Sequence, residues 1–109
     1  MNPRPKFHMG FDSLGRKIEL SIQANRFAYC LPRVDGMKLD DYEAVEIGIF
    51  ADGEWIVPSC IPGLGVGFDR LFEPWEEGHT SVAGYVSQLD REMLELALDE
   101  VLTQRLPTG

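Results

Sequence analysis

Lys17-Ile18-Glu19-Leu20-Ser21-Ile22-Gln23 is the stretch that decides the fold class. Ile18, Leu20 and Ile22 fall on one side and Lys17, Glu19 and Ser21 on the other, which is the two-residue period of a strand with one buried face. Just upstream, a short run at residues 7–11 leads into Asp12-Ser13-Leu14-Gly15, a turn sequence whose glycine suits a left-handed position, so a hairpin is expected here. Downstream, Asn25 reads as a turn and residues 26–31 as a further strand with Phe27, Tyr29 and Leu31 on one face, stopped by Pro32, which has no N–H for a ladder. Residues 33–41 read as a loop. Residues 42–50 then alternate Val45, Ile47 and Ile49 against Ala44, Glu46 and Gly48, and Asp52-Gly53 turns the chain into residues 54–57 before Pro58.

The C-terminal third starts with a strand expected over residues 80–87, in which Val82 and either Val86 or Tyr85 face inward. A helix over residues 88–104 follows. Ser87 with Asp90 three residues on is close to a capping box, and Met93, Leu94, Ala97, Leu98, Val101 and Leu102 recur at helical spacing. The expected architecture is therefore α+β: an antiparallel sheet of five or six strands with the C-terminal helix packed on one face. Leu94, Ala97, Leu98 and Val101 would close over Ile18, Leu20, Ile22, Val45, Ile47 and Ile49. At about 25 cal/mol per Å² of apolar area, that burial offsets much of the ordering entropy.

A chain of 109 residues with 44% hydrophobic and 26% charged side chains is expected to form one domain over 1–109 and to be ordered. Residues 58–80 are its irregular part, carrying Pro58, Pro62, Gly63, Gly65, Gly67, Pro74 and Gly78. No apolar run approaches a membrane span and Met1-Asn2-Pro3-Arg4-Pro5-Lys6 has no signal-peptide stretch, so a cytoplasmic protein without a membrane partner is expected. In such a compartment Cys30 and Cys60 stay reduced.

Motifs for chemistry are missing. Gly63-Leu64-Gly65-Val66-Gly67 has no lysine after it and no βαβ unit around it, while Asp69 adds negative charge, so it is not a phosphate loop. His8, Cys30, Cys60 and His79 lack the close pairs that zinc sites use, and no metal or other cofactor is expected. Neither a nucleophile elbow nor a zinc-protease motif occurs, and the carboxylate pairs Asp40-Asp41 and Glu76-Glu77 sit in polar loops without the burial that general acid catalysis requires. An enzyme is not expected.

Charge is the remaining signal. Ten basic and eighteen acidic residues give a net charge of -8, and the imbalance is uneven. Six of the ten cations and only two of the acids lie in residues 1–33. The rest of the chain repels phosphate, which argues against direct nucleic-acid binding, and attracts a basic protein surface. Phe68, Leu71, Phe72 and Trp75 stand at helical spacing with Asp69, Glu73, Glu76 and Glu77 interleaved. This segment reads either as a lid over the sheet or as an aromatic, acidic docking surface. With Asp40 and Asp41 added, the expected partner-binding residues are Asp40, Asp41, Asp69, Phe72, Glu73, Trp75, Glu76 and Glu77. Glu92, Glu95 and Asp99 form a second acidic strip on the helix.

Three stretches in order, Tyr29-Cys30-Leu31-Pro32-Arg33, then Tyr42 with Val45-Glu46-Ile47-Gly48, then Val82-Ala83-Gly84-Tyr85-Val86, resemble a pattern in small acidic proteins of phages and mobile elements, of the anti-CRISPR kind. The insertion at residues 58–80 departs from the compact form of that pattern. The resemblance implies a non-enzymatic, stoichiometric inhibitor in the host cytoplasm. Such an inhibitor engages a basic surface of a nucleic-acid-handling host complex, often a nucleoprotein, and competes with DNA. A different class of function is a structural module that forms a homodimer, through the aromatics of residues 68–75 or by pairing an edge strand across a two-fold axis.

Overall fold

The computed structural model describes residues 6–72 and 82–105. It is an α+β fold, with five strands in one antiparallel sheet and a single C-terminal helix that contacts the last and first strands. Strand β1 (Lys6–Phe11) pairs with β2 (Lys17–Gln23), and β2 pairs with β3 (Ala44–Ala51). The far edge of β3 is shared. β4 (Glu54–Ile56) takes the end at Ile49 to Ala51, and β5 (Ala83–Ser87) takes the end at Ala44 to Ile47. Helix α1 (Gln88–Val101) follows β5 without a loop, because Ser87 is at once the last strand residue and the N-cap, its Oγ accepting from the Asp90 N–H at 3.1 Å.

The first hairpin forms as its turn chemistry requires. Asp12 is fully buried at the end of β1, where its Oδ1 accepts from the N–H groups of Leu14 (3.0 Å) and Arg16 (2.9 Å) and its Oδ2 from Arg16 Nε (2.7 Å). Gly15 takes the left-handed conformation at φ 80°. Burial alone would raise the pKa of Asp12, but the backbone and guanidinium donors of Arg16 and the Leu14 N–H outweigh it and hold the carboxyl below the ordinary aspartate value. Arg16 continues to the Cys60 carbonyl (2.8 Å), tying this turn to the 3-10 turn Pro58–Cys60. In the second hairpin, Asp52 (φ 48°) and Gly53 (φ 85°) both adopt positive φ, the geometry of a two-residue turn that matches strand twist.

One face of the sheet carries the expected core. Ile18, Leu20, Ile22, Val45, Ile47 and Ile49 are buried together with Leu94 and Leu98 of α1, and Tyr42, Ile61, Ala83, Val86 and Leu102 join them. The second face of β3 is covered as well: Trp55 lies across Gly48, where any Cβ would collide with its ring, and packs at a tilt against Phe50 with centroids 4.3 Å apart. Burial on both faces marks β3 as the central strand.

Three expectations are corrected. Residues 26–31 do not form a strand, because their donors are spent elsewhere: Asn25 Oδ1 takes the N–H groups of Phe27 (2.8 Å) and Ala28 (2.9 Å), Asp35 takes that of Arg26 (3.0 Å), and Glu46 takes that of Tyr29 (2.8 Å). Only Leu31 bridges to Ala44, and the buried side chains are Ala28 and Cys30 rather than Phe27, Tyr29 and Leu31. The helix stops at Val101 because Leu102 is extended and Thr103 pairs with Phe11 across the outer edge of β1 (2.7 and 2.9 Å). Met93 is exposed, and Leu102 takes its place in the core. Strand β5 also hides a bulge. Gly84 and Tyr85 together oppose Glu46, so Tyr85 turns outward at φ 53° with its N–H on the Tyr29 carbonyl, while Ala83 and Val86 face inward.

The buried Asp12 carboxylate leads to a pH prediction. A group whose folded pKa is depressed stabilises fully above its unfolded value, near 3.9, and that contribution is lost as pH falls through the folded pKa. Thermal melts from pH 7 to pH 2 should show wild type losing stability below about pH 4 more steeply than Asp12→Asn. At pH 7, Asp12→Ala should cost about 3 kcal/mol, since it removes the acceptor of Arg16 Nε and of two turn N–H groups.

Candidate functional site

The carboxylates of the chain separate into two kinds once their partners are known. Many are occupied within the fold. Asp69, at the start of the 3-10 turn Asp69–Leu71, accepts from the Ser59 N–H (2.9 Å) and from the Ser59 hydroxyl, so it braces the loop against the turn Pro58–Cys60. Asp90 is bound by Arg70 at 3.0 Å; that hydrogen bond, aided by the Arg70 charge and the Ser87 hydroxyl against a smaller burial cost, holds its pKa below the ordinary value. Asp35 pairs with Arg26 (3.4 Å), and Asp52 accepts from the Lys17 N–H (2.8 Å).

The aromatic segment is largely interior. Phe72, expected to be an apolar anchor, is only 5% exposed and belongs to the core, with Phe68 and Leu71 packed against that core beside it. Up to Phe72 the segment packs against the core. Phe68 and Phe72 offer no exposed aromatic pair for a homodimer contact. Glu73, Trp75, Glu76 and Glu77 lie outside the described residues.

Asp40 and Asp41 sit on the 3-10 turn Leu39–Asp41, both exposed. Asp40 is drawn to α1 by Arg91, whose Nη1 donates to Asp40 Oδ1 and Gln88 Oε1, each at 3.0 Å, while its Nε lies 3.8 Å from Glu95. The Arg91 side chain is 13% exposed, and Gln88 adds bonds to the carbonyls of Leu39 (2.9 Å) and Tyr42 (2.7 Å). One flank of the helix is thereby clamped to the turn at residues 39–42, which fixes how α1 is rotated about its axis. Glu95 belongs to this clamp.

With Leu94 and Leu98 turned into the core, rotation leaves a second apolar row outside. Leu89, Met93 and Leu96 are 66%, 49% and 65% exposed and stand at i, i+4 and i+7. Glu92, Asp99 and Glu100 lie around them, exposed, and none of the three forms an ion pair among the described residues. The last turn of α1 holds no basic residue. Acids there oppose the helix dipole, and the Glu95–Asp99 pair at i, i+4 costs about 0.2–0.5 kcal/mol more. Two of the three helix acids singled out by sequence thus remain free. The apolar row beside them was missed, and its signal is on the helical wheel: Leu89 and Leu96 fall on the arc opposite Leu94 and Leu98.

Neither cysteine is bonded: Cys30 is buried with its thiol donating to the Asn25 carbonyl (3.2 Å), and Cys60 is exposed. Among the described residues no three His, Cys, Asp or Glu side chains converge on a position that could hold a metal ion, and no helix is long and apolar enough to cross a membrane. Comparison with protein-family models, curated proteins and solved structures finds no match for this chain.

The two kinds of carboxylate should separate by stability. Asp69→Ala should lower the unfolding free energy by about 1–2 kcal/mol, since it removes a half-buried acceptor from Ser59. Asp99→Ala should leave it unchanged or raise it by about 0.3–1 kcal/mol by relieving repulsion at the helix end. Urea titrations followed by circular dichroism read both.

Proposed function

We propose that this protein is a non-enzymatic binding protein of the anti-CRISPR kind, which engages a basic surface of a nucleic-acid-handling host complex and competes there with DNA. The observation that carries this reading is the outer face of α1, where exposed Leu89, Met93 and Leu96 lie among the uncompensated carboxylates of Glu92, Asp99 and Glu100. Apolar contacts of this kind give short-range affinity, while the surrounding charge steers a cationic partner and selects it. A basic partner would also neutralise the repulsion that α1 carries alone, so the charge that costs the free protein stability favours the complex. The net charge of -8 acts in the same direction at longer range. Asp40 and Asp41 border the clamped flank of the helix and extend the acidic margin.

Capture of host proteins on the immobilised chain tests this reading when three conditions are compared: low salt, tenfold higher salt, and low salt with excess duplex DNA. Proteins held by the α1 face should be lost in both of the latter, and should not be held by a Glu92→Lys/Asp99→Lys/Glu100→Lys variant that retains its helical signal. Retention of the same proteins by the variant, or at high salt, would show that the acidic face is not what binds.

A further inference from the structure

Resting on that reading of the α1 face, we infer that its occupant is an amphipathic helix of the partner with Lys or Arg flanking its apolar seam. The spacing of Leu89, Met93 and Leu96 is that of two-stranded helix packing. With Met93 at an a position, Leu89 and Leu96 are d, Glu92 and Asp99 are both g, and Glu100 is the next a. All three seam residues are exposed, and the Asp40–Arg91–Gln88 clamp holds the ridge pointing outward before any partner arrives. A convex ridge of this kind fits the groove between side-chain rows of another helix.

Charge decides between a foreign helix and a second copy. Two parallel copies of α1 would place Glu100 against Glu100 in the seam. Two antiparallel copies would set the g residues Glu92 and Asp99 of one against those of the other. Neither arrangement supplies a cation, because the only basic residue of α1, Arg91, is turned to the opposite flank and held by Asp40 and Gln88. A partner helix with Lys or Arg beside its apolar row satisfies Glu92 and Asp99 at once, and a further cation opposite Glu100 completes the match. From Leu89 to Glu100 the seam is about 16 Å long, so micromolar rather than nanomolar affinity is expected.

Fluorescence anisotropy with the full chain and designed peptides tests the inference. A helical peptide with a Leu seam and Lys flanks should bind, weakening at least tenfold when salt rises from 50 to about 500 mM. The same seam with Glu flanks should not bind. The Glu92→Lys/Asp99→Lys variant, whose exposed positions leave the fold intact by circular dichroism, should exchange these preferences and bind the Glu-flanked peptide. Leu96→Asn should weaken the Lys-flanked peptide at least fivefold without altering the melting profile. Equal binding of a proline-interrupted, non-helical peptide of the same charge would overturn the helix seam while leaving charge-driven docking in place. Binding of neither cationic peptide would overturn both. Sedimentation showing a dimer that Leu96→Asn dissolves would replace the foreign helix with a second copy.

Discussion

Every other element takes its position from the burial of β3. Its two edges are fully used, by β2 on one side and by β4 and β5 end to end on the other. Its two faces are also filled, one by the aliphatic core and one by Phe50 and Trp55 closing over Gly48. A strand buried in all four directions cannot slip in register without exposing its apolar set. This anchors β5, and because Ser87 passes from strand to helix with no intervening loop, it anchors the start of α1 as well. The bulge at Gly84 and Tyr85 adjusts that exit, and the Asp40–Arg91–Gln88 contacts then set the rotation of the helix. The exposed row on α1 is thus a consequence of sheet register carried forward through one strand.

The acidity of the chain has more than one physical meaning. Asp12 and Asp69 act as internal acceptors, holding turns whose N–H groups would otherwise have no partner. Asp35, Asp40 and Asp90 are matched to Arg26, Arg91 and Arg70 at the surface, where such pairs contribute little to stability and mainly set local geometry. Glu92, Asp99 and Glu100 on the outer side of α1 form no ion pair among the described residues, and Asp99 and Glu100 stand in the last turn of a helix whose dipole they oppose. The net charge therefore does not describe a uniformly negative surface. Three of its unpaired carboxylates stand beside three exposed apolar side chains of α1.

The elements whose cause is local were legible from residue order. Alternation at Ile18, Leu20 and Ile22, the Asp12 and Asp52-Gly53 turns, and the Ser87 cap each depend on atoms a few residues apart, and each forms as its neighbours dictate. Residues 26–31 carry an equally good strand pattern and fail, because Glu46 and Asp35 take N–H groups that a ladder would need. Phe72 and Met93 show the same limit in the candidate site. Both are apolar at helical spacing, yet one is buried and the other exposed.

Hydrophobic period specifies that a face exists, but which residues of a crowded helix occupy it depends on what the rest of the chain brings against them. In α1, apolar residues cover more than one arc, and the choice of Leu94 and Leu98 over Leu89 and Leu96 comes from the sheet and from the turn at residues 39–42, more than forty positions earlier. Pattern, turns and caps are encoded by near neighbours and can be read in order along the chain. Rotation, exposure and the pairing of charges depend on contacts between distant segments, and they exist only once those segments have packed.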